Sequence, residues 1–218
     1  MEWFQSICMI LSLLFSLRLI NNTRVVVQMK YFYWYSVVGA FIIVLNILNY
    51  LFNIPTTSMM GIIRNYSVLF HFTFLSFFIL SLLSPALKRK ICLGIILPFF
   101  FFSIIALISF SNERQNSTAY ALSNLGLVIL CIVYFSDLFN STSKISLVKE
   151  PSFWIVSGIF LCMSAIIPIN SLHEFLWDEN FIVAKDRKLL SSVRYFAFGC
   201  MHLFFIKAYL CSVHQAKV

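Results

Sequence analysis

Residues 91–110 read ICLGIILPFFFFSIIALISF, an apolar stretch without a single charged side chain. An α-helix of about 20 apolar residues crosses the hydrocarbon core of a bilayer, which is about 30 Å thick. Seven apolar stretches of roughly this length fill most of the chain. They are residues 3–20, 31–53, 66–86, 91–110, 119–140, 153–172 and 194–213. The sequence therefore predicts an all-α polytopic membrane protein, a single bundle of seven transmembrane helices over residues 1–218.

The composition agrees with a membrane protein. Hydrophobic residues make up 61% of the 218 residues, charged residues make up 11%, and there are 25 Phe. This balance excludes an ordinary soluble domain. The formal net charge is +8, but the basic residues cluster at the ends of the apolar stretches and form no stripe with interleaved aromatics. The predicted partner is therefore the lipid bilayer and not nucleic acid.

The placement of the basic residues indicates an orientation. The first, third and fifth joints and the tail carry nine Lys and Arg, whereas the long sixth joint mixes basic and acidic residues. By the positive-inside rule the N-terminus lies outside and the C-terminus lies in the cytoplasm. We expect a multi-pass protein of the inner (plasma) membrane. Met1-Glu2-Trp3 lacks the basic start of a secretory signal peptide, so the first stretch is expected to be retained as a helix.

Polar side chains recur at helical spacing inside the apolar stretches. The clearest case is in the second stretch, where Asn46, Asn49, Tyr50 and Asn53 share one helix face. The predicted topology places this face in the outer half of the membrane, at the depth of polar residues on other stretches. Together they form one candidate outer site, whose members are Asn46, Asn49, Asn53, His71, Asn124 and His202.

Two interpretations of this candidate outer site remain open. The first is a water-accessible pocket that binds a small neutral or lipid-like ligand, because the site contains no carboxylate. The second is hydrogen bonding between neighbouring helices, in which each pair contributes about 0.6 to 2 kcal/mol in lipid.

Asp137 and Lys207 are the ionisable side chains other than His that lie well inside the apolar stretches. Their similar predicted depth, toward the cytoplasmic face, permits an intramembrane ion pair. Such a pair would mark a gate or a proton path, because an unpaired charge at mid-membrane costs about 2.5 to 3.5 kcal/mol or more. The alternative is that both side chains reach the headgroup layer, Lys207 by snorkelling.

The chain contains no recognisable catalytic, cofactor or metal motif, so we expect neither enzyme activity nor a cofactor or metal ion. The four His and eight acidic residues do not follow metal-ligand spacing on any one stretch. The six Cys contain no C-x-x-C pair, which favours small buried hydrophobic residues over a disulfide framework.

The region around the fifth joint contains Tyr134-Phe135, the run LVKEPSFWI at residues 147–155, and Gly158. These residues resemble the YF…LxxxPxFWI…G signature of an uncharacterised family of small seven-helix integral membrane proteins of Bacteroidota. The helical layout of that family is similar to the seven-helix membrane sensor regions of histidine kinases. The resemblance implies a seven-helix fold and a role in sensing.

Members of that family often carry an acidic residue in the third and fifth helices, whereas this chain has Thr73 and Asn124 at about those places. This difference argues against a shared proton-linked mechanism. The expected function is sensing or signalling without an output domain of its own, through a separate cytoplasmic or membrane partner.

Two other functions remain open, a small transporter or channel subunit and a membrane scaffold or assembly protein. A transporter needs polar residues along a path through its cytoplasmic half, whereas the cytoplasmic half of a receptor is closed. Polar residues in the predicted inner half are sparse. No internal repeat of the kind common in transporters is evident. The ligand and the oligomeric state are not predicted.

Overall fold

The structure is a computed structural model that describes residues 2–20, 32–41, 44, 57–83, 86–109, 117–140, 147–178 and 184–215. All of these residues are helical except Leu83 and Glu150. The all-α prediction is confirmed for this part of the chain, which contains seven α-helices and one 3₁₀ turn. They are α1 (Glu2–Ile20), α2 (residues 32–41), α3 (Thr57–Leu82), α4 (Ala86–Ser109), α5 (Ser117–Asn140), the 3₁₀ turn (Leu147–Lys149), α6 (Pro151–Asp178) and α7 (Ala184–Gln215).

Three helical stretches are long and apolar enough to cross a membrane, namely Thr118–Asn140, Pro151–Ser171 and Leu189–Val213. Trp3–Leu17 and Ser67–Leu82 are shorter apolar stretches within the described residues. The structure thus contains a bundle of helices with three candidate spans, while the count of seven spans stays a prediction.

The helices extend beyond the predicted apolar stretches. α6 continues to Asp178 and α7 begins at Ala184, so most of residues 172–193, which the sequence assigns to a polar joint, are helical. A helix satisfies its backbone polar groups internally whatever its side chains are. It can therefore continue from the hydrocarbon into the headgroup layer, and the apolar run marks only the part inside the hydrocarbon.

The chain divides into two compact units. Unit 1 comprises Met1–Ile54, Ser141–Cys162 and Tyr195–Val218, and unit 2 comprises Pro55–Asn140 and Met163–Arg194. Two of the four boundaries between the units fall within helices, one in α6 and one in α7. Each unit has its own buried apolar side chains, such as Phe205 in unit 1 and Leu130 in unit 2.

In unit 2, α3, α4 and α5 pack against one another. Contacts between α4 and α5 show that the two helices are antiparallel, because Lys88 pairs with Asp137 while Ser103 hydrogen-bonds to Ser123. At 1.5 Å per residue, these two contacts lie about 22 Å apart along α4.

Gly126 of α5 lies where α3 and α4 both approach α5 closely. A Cβ at this position would lie 2.9 Å from Cε2 of Phe72 on α3 and 3.0 Å from Cγ of Phe99 on α4. Helices in lipid gain little from the hydrophobic effect, and small residues let their surfaces approach closely enough for dispersion contacts. Gly126 therefore fixes the level at which α3 and α4 meet α5.

In unit 1, the first part of α6 runs antiparallel to the last part of α7. Trp154 packs on Phe204, and upstream of α6 the carbonyl of Val148 accepts a hydrogen bond from the Cys211 thiol at 3.7 Å. Gly158 lies at the closest point of this helix pair. A Cβ there would be 2.7 Å from Cβ of Phe204.

α1 and α7 run in the same direction. Phe4 stacks on Phe196 with ring centroids 5.6 Å apart, and farther along both helices Ser12 faces the phenol group of Tyr209. Residue numbers therefore rise together along the two helices, as expected for the first and last of an odd number of alternating spans.

Large apolar side chains cover the exposed faces of the helices. On α4, Leu97, Phe101, Ile105 and Ile108 recur at intervals of three or four residues, and each is more than half exposed. Soluble proteins rarely expose contiguous apolar stripes of this kind. The stripe therefore indicates contact with lipid.

The close approach at Gly158 predicts a difference between two glycine variants. Gly158→Ala should lower the free energy of unfolding by about 1 to 3 kcal/mol, the usual range for overpacking. The cause is that the added methyl meets Cβ of Phe204, which cannot move without its backbone. Gly94→Ala is the matched control, because a Cβ there has no neighbouring atom within 4 Å. It should be neutral or slightly stabilising, since Ala is the better helix former.

Thermal unfolding of both variants in the same detergent measures this difference. A Gly158→Ala variant that is as stable as Gly94→Ala would contradict the packing of α6 on α7.

Candidate functional site

Three buried polar residues lie together on α4 and α5. The hydroxyls of Ser103 and Ser123 hydrogen-bond to each other at 2.9 Å, and both side chains are buried. Asn124 follows Ser123 and is only 8% exposed. Burying a hydroxyl or an amide is costly unless it is hydrogen-bonded. These residues therefore serve either to bind a polar group or to hold the helices together by hydrogen bonds. Ser103, Ser123 and Asn124 are hereafter the α4–α5 polar group.

His71, predicted to share a site with Asn124, lies on α3 in the same unit. Its neighbour in sequence, Phe72, contacts Gly126, which is two residues from Asn124. The structure therefore places His71 and Asn124 at a similar depth of the packed helices. The imidazole ring is half-buried and meets the ring of Phe70 with centroids 6.1 Å apart.

The remaining members of the predicted outer site lie either in unit 1 or outside the described residues. His202 lies in unit 1, where it is 2% exposed and its ring packs edge-on against Phe205 at 5.4 Å. Asn46, Asn49 and Asn53 lie outside the described residues. A common pocket for all six residues therefore stays a prediction.

The partner of Asp137 is Lys88 of α4. Lys88 lies in the first turn of α4 and Asp137 in the last turn of α5, and their side chains are 32% and 16% exposed. Lys207 lies in unit 1, with its ammonium group 5.7 Å from the ring centroid of Trp154. The predicted pair between Asp137 and Lys207 stays a prediction, and the ion pair that the structure contains connects α4 to α5.

The charges at this end of unit 2 oppose the helix dipoles. Lys88, Arg89 and Lys90 lie at the N-terminus of α4, where the dipole favours negative charge. Arg89 offsets part of this cost, because its Nε donates a hydrogen bond of 2.8 Å to the carbonyl of Leu83 at the end of α3. A cation there satisfies an orphan carbonyl of a helix C-terminus. Helix stability alone therefore does not explain three consecutive basic residues.

Sequence analysis missed a second buried polar group, which lies in unit 1. Ser12 and Ser16 of α1 and Ser36 of α2 surround Tyr209 of α7, and each of the four is at most 1% exposed. Ser36 donates to the carbonyl of Phe32 at 3.2 Å, so the 3.4 Å contact with Tyr209 is one in which the phenol donates. These four residues are hereafter the serine–tyrosine group.

One signal in the sequence could have identified the partners within unit 2. The fourth apolar stretch ends at residue 110 and the fifth begins at residue 119. Lys88 and Asp137 lie 22 and 18 residues from these two ends, and Ser103 and Ser123 lie 7 and 4 residues from them. In an antiparallel hairpin, paired residues differ in their distance from the joint by a nearly constant number, here four and three.

The described residues contain no group of three or more His, Cys, Asp or Glu side chains that could hold a metal ion. The exposed apolar faces, the candidate spans and the buried hydroxyl groups define a helical membrane protein. No protein-family profile, curated protein or solved structure matches this chain.

The ion pair predicts energetic coupling between α4 and α5. In a double-mutant cycle, Lys88→Met and Asp137→Asn should show a coupling free energy of about 1 kcal/mol or less, as expected for a partly exposed pair. Lys90→Met removes the same charge from an exposed position on the same turn and should not couple to Asp137→Asn.

Chemical denaturation of the native protein, the three single variants and the two double variants in mild detergent gives both couplings. Equal couplings for Lys88 and Lys90 would show that Asp137 responds only to the general positive charge of this helix end.

Proposed function

We propose that this protein is a multi-pass receptor of the inner (plasma) membrane, with seven spans, its N-terminus outside and its C-terminus in the cytoplasm. It senses a small neutral or lipid-like ligand in the outer half of the membrane. It passes the signal to a separate cytoplasmic or membrane partner. The observation that carries the proposal is the separation of the α4–α5 polar group from the Lys88–Asp137 pair by an apolar layer.

This apolar layer fills the roughly 22 Å between the two polar levels of unit 2. A transporter needs polar side chains along its path, whereas the side chains buried here are mostly apolar, with Ser76 and Tyr134 as polar members. The buried residues of the layer are Leu75, Ser76, Phe78 and Ile79 of α3, Cys92 and Ile96 of α4, and Leu127, Leu130, Cys131 and Tyr134 of α5. A closed inner half of this kind favours a receptor.

The orientation rests on the basic residues at one end of unit 2. Lys88, Arg89 and Lys90 oppose the helix dipole, and the positive-inside rule supplies a reason for their presence at a cytoplasmic end. The opposite end, which holds the α4–α5 polar group, is then the outer half. The shared direction of α1 and α7 supports an odd number of alternating spans.

The chemistry of the α4–α5 polar group sets the class of ligand. Serine hydroxyls and the Asn124 amide both donate and accept hydrogen bonds, and none of them carries charge. A neutral ligand with hydroxyl, carbonyl or amide groups matches them, and an apolar tail would be accommodated by the surrounding lipid. The resemblance of residues 147–158 to a family with a sensor-like layout adds support to this proposal.

A small transporter or channel subunit is the alternative function. The observation that favours it is the serine–tyrosine group, which under the same orientation lies in the inner half of unit 1. A scaffold or assembly protein would use both polar groups only for helix packing.

The receptor proposal predicts a ligand-dependent rise in melting temperature. A ligand at 100 times its Kd stabilises the folded protein by about 2.7 kcal/mol. In a panel of lipids and small neutral metabolites, a compound that stabilises the native protein should lose its effect on Asn124→Ala and have a reduced effect on His71→Ala.

Ile96→Val is the control, because it lowers stability by about 0.5 to 1.5 kcal/mol in the apolar layer without touching the polar group. It should show the same ligand-dependent rise in melting temperature as the native protein. If no compound stabilises the native protein, or if Asn124→Ala still shows the rise in melting temperature, the α4–α5 polar group contributes only to helix packing. That result would favour a scaffold or assembly protein.

A further inference from the structure

Lys207 lies on the lipid-facing side of α7. The exposed residues of this part of the helix are Leu203, Lys207 and Leu210, spaced by four and three residues, and the two Leu side chains are 46% and 48% exposed. This spacing puts all three on one helix face. A lysine thus interrupts an apolar stripe within the candidate span Leu189–Val213.

The ammonium group of Lys207 is held near the start of α6. It lies 5.7 Å from the ring centroid of Trp154, which is in the first turn after Pro151. The indole is itself fixed, because its Nε1 donates a hydrogen bond of 2.8 Å to the carbonyl of Val148 in the 3₁₀ turn. The charge therefore lies close to the N-terminal end of the candidate span Pro151–Ser171.

Among the described residues, no ion pair neutralises the charge of Lys207. The indole of Trp154 attracts a cation by its quadrupole but carries no net charge. Glu150, the acidic residue that precedes α6, accepts a hydrogen bond of 3.1 Å from the hydroxyl of Ser152.

A lipid-facing ammonium at headgroup depth meets the phosphate groups of phospholipids. We propose that Lys207 and Trp154 form a binding site for the headgroup of an anionic phospholipid. The ammonium donates hydrogen bonds to the phosphate, the indole holds the ammonium at that depth, and Leu203 contacts the acyl chain. This site belongs to unit 1 and is independent of the α4–α5 polar group in unit 2.

The test uses the full chain in nanodiscs of phosphatidylcholine alone and of phosphatidylcholine with phosphatidylglycerol at about 3:1. Two quantities are measured, the melting temperature and the number of phosphatidylglycerol molecules retained in native mass spectrometry. Four proteins are compared, namely the native chain, Lys207→Met, Lys207→Arg and the matched control Lys90→Met. Met keeps an unbranched side chain with good helix propensity, so the fold is retained.

Phosphatidylglycerol should raise the melting temperature of the native chain. Lys207→Met should bind it about fivefold more weakly, because the phosphate loses the ammonium group that the indole of Trp154 holds against it. Lys207→Arg should restore binding, and Lys90→Met should behave like the native chain.

Retention by Lys207→Met equal to that of the native chain would overturn the proposal. An equal loss in Lys90→Met would also overturn it, because binding would then follow the overall charge. A final arm adds inorganic phosphate to phosphatidylcholine nanodiscs. Stabilisation in that arm would identify free phosphate as the ligand and contradict a lipid site.

Discussion

The contact of Gly126 with Phe72 and Phe99 is the constraint on which the arrangement of unit 2 depends. Because α5 has no side chain at this position, α3 and α4 can both approach it closely, and lipid supplies no hydrophobic force that would replace such contacts. The contact also sets the register of α4 against α5. That register brings Ser103 to Ser123 at one level and Lys88 to Asp137 at another. A larger residue at position 126 would separate the helices and disturb both polar contacts.

Much of the fold follows from apolar length, because a run such as residues 119–140 can satisfy its backbone in lipid only as a helix. The C-terminal end of α6 and the N-terminal end of α7 could not be predicted in this way, since these turns carry polar residues. The partner of Asp137 could not be predicted either, because similar depth does not distinguish Lys88 from Lys207. The antiparallel register of α4 and α5 places Lys88 next to Asp137. The serine–tyrosine group was missed because α2 and α7 each contribute one residue to it, Ser36 and Tyr209, and Ser12 and Ser16, although one helical turn apart, form a pattern of only two residues.

The candidate outer site as a whole stays a prediction. His71 and Asn124 lie at similar levels of α3 and α5, and each is a polar residue a short distance from the start of its apolar stretch. Ser103 was overlooked, although it is the hydrogen-bond partner of Ser123. In unit 2, Lys88 and Asp137 lie in the terminal turns of α4 and α5, where they form an ion pair. The uncharged hydroxyl and amide groups lie deeper. This division suits a protein that recognises neutral ligands within the bilayer and lipid charge at its surface.

The central claim is that the α4–α5 polar group can be reached from the outer side of the membrane and is closed from the cytoplasmic side. Asn124→Cys, introduced into a chain in which the six native cysteines are replaced by serine or alanine, tests it with a membrane-impermeant thiol reagent. The account predicts labelling in right-side-out vesicles and none in inverted vesicles. Labelling from the inverted side would contradict the closed inner half, and the absence of labelling from both sides would contradict an accessible site.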